Sequence, residues 1–324
     1  RVWLVTGTWG GAQSAVLQLF APVGVVIFFM LTGYLFWGKA RARNGKINPW
    51  KLWRGRLYRS APLYLFSLLL VLAVAVIVTG GHWLALHNWK PLLRLLALGS
   101  LSWHNVGTVN LGEYNAGVVW TLWYEWAFYL ALPFIAWLAV KRRIFIVAGL
   151  AYFLTFAGLW FGFNLQPGLF FILGMVCPVL LEDPRLRSRL ARPILATGAI
   201  FAVVLLCWLS HHYLLAKVPT VAVAGSLFPL FIVAAAGNNF FGLLTHPAIR
   251  CLGAMSFSLY LLHGIVFRLV FNILRTSGLA DLSRLWCWLI LVFTAIIITL
   301  LCATTYRWIE FPLLSASHKK PNVH

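Results

Sequence analysis

Apolar runs of about 20 residues, each almost free of charged side chains, recur from one end of this chain to the other. A segment of that kind is apolar on every face, and a chain of 324 residues has no aqueous core large enough to bury so many of them. Lipid is the solvent that suits them, and in lipid every backbone N–H and C=O must be paired within its own segment. The fold class that follows is all-α, a polytopic integral membrane helical bundle. Composition agrees, with 62% hydrophobic residues, 10% charged residues and a mean hydropathy of +0.87. No polar stretch is long enough for a separate soluble domain, so residues 1–324 read as a single transmembrane domain.

The expected spans are 15–37, 61–79, 118–140, 144–163, 168–181, 193–210, 218–236, 252–274 and 285–305. The run 168–181 is too short to cross upright, and it reads as a re-entrant helix or a crossing where the bilayer thins. Orientation comes from the short loops. Lys39, Arg41, Arg43, Lys46, Lys51, Arg54, Arg56 and Arg59 follow the first span, and Lys141, Arg142 and Arg143 follow the third. Positive loops stay in the cytoplasm, and alternation then places Arg185, Arg187, Arg189, Arg192, Arg250, Arg307, Lys319 and Lys320 there too. This closes only if residues 80–117 remain outside, with Pro91–Trp103 as an interfacial or re-entrant helix. Arg1 also falls outside, so nine visible spans imply a parent of ten helices, with one helix expected before Arg1.

The net charge of +20 does not indicate nucleic acid, because the cations sit in clusters between apolar runs. Cys177, Cys207, Cys251, Cys287 and Cys302 all lie in or beside apolar runs, where a thiol acts as a small hydrophobe. Neither disulfides nor a metal site are expected. His82, His87, His104, His211 and His212 are assigned to outer loops, and the adjacent pair His211 and His212 has no metal-ligand spacing.

Six carboxylates occur in the chain, and Glu125 alone falls well inside an expected span, roughly 10 Å deep at 1.5 Å per residue. An ionised carboxylate there is costly unless paired, which makes it a functional candidate beside the plainer reading of an interhelical packing bond. His263 lies near the middle of 252–274, on one helical face with Ser256 and Tyr260. That stripe fits an interhelical hydrogen-bond ladder or a proton-transferring His lining a polar cavity. Arg268, farther out on the same span, reads as a snorkelling cation. Arg56 and Arg59 are three residues apart and can converge on one anion, phosphate being the natural partner, although juxtamembrane arginines commonly report topology or anionic lipid. Glu310 follows the last span at the same face as the arginine loop, where a salt bridge to that loop is the modest reading. Gly33 would let two helices approach closely.

Taken together, these segments resemble the acyltransferase 3 family, bacterial membrane-bound O-acyltransferases of cell-envelope sugars. The likeness is carried by Phe28-Phe29-Met30-Leu31-Thr32-Gly33-Tyr34, by Arg56-Leu57-Tyr58-Arg59-Ser60-Ala61-Pro62-Leu63-Tyr64, by Trp120-Thr121-Leu122-Trp123-Tyr124-Glu125-Trp126-Ala127-Phe128-Tyr129, and by Ser256 to His263. Glu310-Phe311-Pro312 is a looser match to the family's closing motif. The family's first span carries an Arg and, farther along, a His held to be catalytic; no such segment precedes residue 15, and the helix expected before Arg1 is where it would lie.

The resemblance implies transfer of an acyl group, most often acetyl, from cytoplasmic acyl-CoA to a hydroxyl of a lipid-linked or envelope saccharide. It implies no permanently bound cofactor, acyl-CoA being a donor substrate, and a place in the bacterial inner membrane. Glu125 and His263 are then the expected catalytic groups, Arg56 and Arg59 the holders of CoA phosphates, and Tyr129, Ser256, Tyr260 and Glu310 the expected substrate-binding residues. Intramembrane polar residues serve a transporter or flippase equally well. The sequence shows no inverted repeat to support that alternative, and a non-catalytic relative is a third reading.

Overall fold

The computed structural model describes residues 15–81, 90, 93, 95–96, 105–106, 109–139, 166–213, 220–277 and 283–318. Its helices are α1 (Ala15–Ala42), α2 (Pro49–Thr79), α3 (Trp120–Ala139), α4 (Gln166–Leu180), α5 (Pro184–Leu190), α6 (Pro193–Tyr213), α7 (Thr220–Ala235), α8 (Pro247–Ala254), α9 (Ser256–Thr276), α10 (Arg284–Thr305) and α11 (Phe311–His318). Ahead of α3, a two-residue antiparallel hairpin pairs β1 (Asn105–Val106) with β2 (Val109–Asn110), and a 3-10 turn, Leu111–Asn115, follows it.

Four stretches are long and apolar enough to cross a membrane: Val23–Ala42, Pro49–Thr79, Ser256–Leu274 and Leu285–Ser315. A fifth is added if α5 and α6, bent by 66° at their junction, count as one broken span. The chain is therefore an all-α membrane protein with four or five such spans among the described residues. The larger expected number is not reached there, and the expected span 144–163 lies outside those residues, as does most of Pro91–Trp103. The outer faces suit lipid: on α10, Leu285, Trp288, Leu289, Val292, Phe293, Ile296 and Leu300 are exposed, while Thr294, Ile298 and Cys302 are buried.

Several boundaries differ from expectation. α2 begins at Pro49, so Arg54, Arg56 and Arg59 sit inside a continuous helix instead of flanking one; Pro at the first helical position has no N–H to leave unpaired there. His211 and His212 belong to the last turn of α6, not to an outer loop. The run 252–274 is interrupted at Met255 between α8 and α9. The final span ends in a π-helical turn, Tyr306–Glu310, before α11.

The chain forms two compact units drawn from interleaved segments. Gly11–Pro49 and Ala127–Ile249 make one, here the α1 unit; Trp50–Trp126 and Arg250–His324 make the other, the α9 unit.

In the α1 unit, α1 and α4 meet backbone to backbone. A Cβ on Gly33 would collide with the Phe171 carbonyl, and one on Gly174 with the Met30 carbonyl, so glycine is required at both positions. The close approach expected of Gly33 is thus present. Phe29 stacks on Phe171 at 4.6 Å, and Phe171 on Phe128 at 4.6 Å, which fills the space beside the crossing. Contacts advance together along both helices, from Gly33 with Phe171 to Gly38 with Pro178 to Arg41 with Glu182, so the pair runs parallel. Both basic loops therefore stand at the same end of the pair, as alternation of the expected spans requires. The bend between α5 and α6 is held by Asn238, whose Nδ2 donates to the Ala191 and Arg192 carbonyls at 3.1 and 3.0 Å.

In the α9 unit, a buried core joins Leu63, Tyr64, Leu68 and Val71 of α2, Leu111 of the 3-10 turn, Leu122 of α3, Leu261, Leu262 and Ile265 of α9, and Ile298 and Cys302 of α10. This core orients the polar residues of α9.

Candidate functional site

Most of the residues singled out in the sequence fall in the α9 unit. Tyr260 is half-buried on α9, and its hydroxyl lies 2.6 Å from the Val118 carbonyl and 2.7 Å from Thr121 Oγ1. A carbonyl only accepts, and the Val118 oxygen takes hydrogen bonds from both hydroxyls, Tyr260 at 2.6 Å and Thr121 Oγ1 at 3.1 Å, which closes a triangle between the two side chains and the backbone. Glu125, one turn beyond Thr121 on α3, lies within electrostatic reach of Tyr260. His263 is a turn along α9, its ring centroid 6.5 Å from that of Tyr260. Its Nδ1 is 2.9 Å from the Leu259 carbonyl. By the same rule Nδ1 donates to that carbonyl, which leaves Nε2 as the ring nitrogen outside this bond. The α3 and α9 motifs therefore converge: a carboxylate, a phenol and an imidazole lie within a few turns of each other.

A second polar group meets α9 at Ser258, two residues before Tyr260. Glu310 is buried at the end of the π turn and accepts a hydrogen bond from Ser258, and Thr305 Oγ1 donates to Ser258 Oγ at 3.2 Å. The charge of Arg59, an exposed residue of α2, acts on Glu310. The expected salt bridge between Glu310 and the arginine segment is not formed among the described residues; Arg59 reaches Glu310 through its charge alone. Arg56, half-buried, stands one turn earlier on α2, with its carbonyl accepting from Ser60 Oγ at 2.9 Å.

Two further expected residues have surroundings of their own. Ser256 is the first residue of α9 and is exposed; Ser258 is the buried serine. Tyr129 belongs to the α1 unit, where it is buried edge-on to Phe36 at 5.1 Å.

Sequence reading missed the way the 3-10 turn is held to α9. A Cβ on Gly264 would run into the Asn115 carbonyl carbon and the Ala116 nitrogen, so the turn lies directly on the helix backbone. One turn farther along, the Arg268 guanidinium sits 4.9 Å from the Tyr114 ring centroid, with Nη1 3.9 Å from Glu113 Oε2. The Arg268 side chain is only 12% exposed, so it packs under the turn instead of snorkelling outward. The readable signal was the spacing of Tyr260, Gly264 and Arg268, four apart, which places all three on one stripe.

The class these features define is an α-helical membrane protein with hydroxyl, carboxylate and imidazole groups brought together along α3 and α9. The family model of the acyltransferase 3 domain matches residues 2–304, and the chain belongs to that family. No curated protein matches it, and no solved structure does. Membership supports an acyltransferase activity in a multi-pass membrane protein.

Proposed function

We propose that this protein is a membrane-bound O-acyltransferase that moves an acyl group, acetyl in the first instance, from cytoplasmic acyl-CoA to a hydroxyl of an envelope saccharide at the bacterial inner membrane. The observation that carries this reading is the family match over residues 2–304. In the reaction, the thioester C–S bond breaks, an ester C–O bond forms, and the acceptor hydroxyl proton passes through a base to the departing thiolate. His263 suits the base because Nδ1 is taken up by the Leu259 carbonyl and Nε2 remains for a substrate proton, and Glu125 suits an orienting or relaying role beside Tyr260. Arg56 and Arg59 suit the donor phosphates, since guanidinium groups bind phosphate oxygens in pairs. Ser256, Tyr129, Tyr260 and Glu310 are proposed to border the substrates.

The deciding experiment uses purified protein in lipid nanodiscs with radiolabelled acetyl-CoA, following both label transfer to saccharide and thioester hydrolysis. A protein that moves a labelled saccharide across the bilayer but never cleaves the thioester is a transporter, and the proposal fails. Glu125→Gln is expected to lower transfer about 100-fold, the scale of one general acid or base; full activity would remove Glu125 from the mechanism. Arg56→Ala with Arg59→Ala is expected to weaken acyl-CoA binding by tenfold or more while leaving membrane insertion intact, since each charged hydrogen bond contributes about 1.5–3 kcal/mol. Unchanged affinity would exclude the arginine pair as the phosphate site.

A further inference from the structure

The α1 unit holds a feature that the proposed reaction does not use. The parallel ends of α1 and α4 border a cavity of about 400 Å³, lined by Gly38, Arg41, Ala42, Asn44, Pro178 and Glu182. Gly38 puts no side chain into this space, and a Cβ there would meet nothing nearer than Pro178 Cβ, at 3.9 Å. The volume falls within the range of small-ligand sites, about 300–1,000 Å³.

Its polar wall is fixed in place. Arg41 Nε and Nη2 both donate to one oxygen of Glu182, Oε1, which sets the plane of the guanidinium. Two of the five N–H bonds of the guanidinium are used in this way and three remain, with the side chain 26% exposed. The chain on either side of the cavity is strongly basic. Lys39, Arg43 and Lys46 belong to the end of α1 and its loop, and Arg185, Arg187, Arg189 and Arg192 follow Glu182; all seven are exposed. With Arg41 that makes eight cations against the two carboxylates Glu182 and Asp183. Lys39 is steadied by its ammonium lying 5.7 Å from the Phe36 ring centroid.

A basic loop alone would report only which end of the helices stays in the cytoplasm. A formed cavity with a guanidinium held ready at its wall is more than orientation needs. We propose that this cavity binds a phosphate group, with Arg41 as the direct donor and the surrounding cations raising the local concentration of anions. Two sources carry that chemistry: the headgroup of an anionic phospholipid, and a soluble phosphate compound from the cytoplasm. The proposal is independent of acyl transfer, because it concerns the α1 unit's own residues and is read out by binding.

The full chain is reconstituted in phosphatidylcholine nanodiscs with and without phosphatidylglycerol, and lipid retention is counted by native mass spectrometry. In parallel, the rise in melting temperature with inorganic phosphate is compared with that in chloride at equal ionic strength. Gly38→Leu fills the cavity without touching a charge, and Arg41→Gln removes the donor. Should Arg41→Gln alone fail to fold for want of the Glu182 partner, Arg41→Gln combined with Glu182→Gln keeps an uncharged hydrogen-bonded pair. Tenfold or greater loss of retained phosphatidylglycerol in both the filled and the uncharged variants supports a lipid headgroup site. Loss of the phosphate-specific melting shift in those variants, without lipid dependence, supports a soluble phosphate. Wild-type behaviour of Gly38→Leu and the Arg41 variants in both measurements overturns the proposal.

Discussion

Ser256 and Ser258 stand two residues apart on α9 and have opposite surroundings. Ser256 is exposed, while Ser258 donates to the buried carboxylate of Glu310 and accepts from Thr305. Removing the Ser258 hydroxyl leaves a buried acceptor short of a donor, at a cost of about 1–3 kcal/mol. Ser258→Ala is therefore expected to lower the melting temperature of the detergent-solubilised protein, and Ser256→Ala to leave it within about 0.5 kcal/mol of wild type. Equal effects would show that the Glu310 network does not support the fold. The motif around Ser256 was legible in the sequence, but nothing in it marked Ser258, two residues on, as the buried serine. Helical periodicity tells which residues share a face; it does not tell which face meets the π turn 52 residues later, because that turn's register depends on packing between α9 and α10. Arg268 was misread for the same reason: its cover, the 3-10 turn, comes from a segment more than 150 residues earlier in the chain.

At the scale of elements, helix type and placement were largely readable, since lipid leaves no other spanning form to a chain without barrel patterning. Ends were less so. α2 carries its arginines within the helix because nothing in Trp50-Lys51-Leu52-Trp53-Arg54 breaks one, and a charged first turn can be helical while lying outside the hydrocarbon. The pairing of α1 with α4 was half visible, in Gly33 but not in Gly174. Each of these glycines faces a carbonyl of the other helix, so Gly33→Ala and Gly174→Ala are each expected to destabilise by about 1–3 kcal/mol or more, through overpacking against backbone that cannot rotate away. Gly38→Ala, whose new carbon would rest at 3.9 Å from Pro178, is expected to be nearly neutral. Thermal melts of the three variants in one detergent check the contrast, and uniform sensitivity would refute the close crossing.

For the whole molecule, the charge pattern makes a claim that family membership does not. The loop containing Asn44 and the helix containing Ser188 are expected on the cytoplasmic side, and Glu113 on the opposite side. In a background freed of its native cysteines, Asn44→Cys and Ser188→Cys should react with a membrane-impermeant maleimide only in inside-out vesicles, and Glu113→Cys only in right-side-out ones. Labelling of Asn44→Cys and Ser188→Cys from different sides would contradict the parallel pairing of α1 with α4 as well as the orientation.

That pairing also bears on how the protein meets its membrane. α4 has 15 residues and is about 22 Å long, well short of a hydrocarbon core of about 30 Å. A short helix can usually slide along its neighbour or tilt by itself to find a comfortable depth. α4 cannot, because Gly33 and Gly174 lock the two backbones in one register, and a step in either direction drives a side chain into a carbonyl. For α4 as a crossing helix, the expected relief is local thinning of the bilayer, and the protein's stability is then expected to vary with acyl-chain length and to be greatest in thin bilayers.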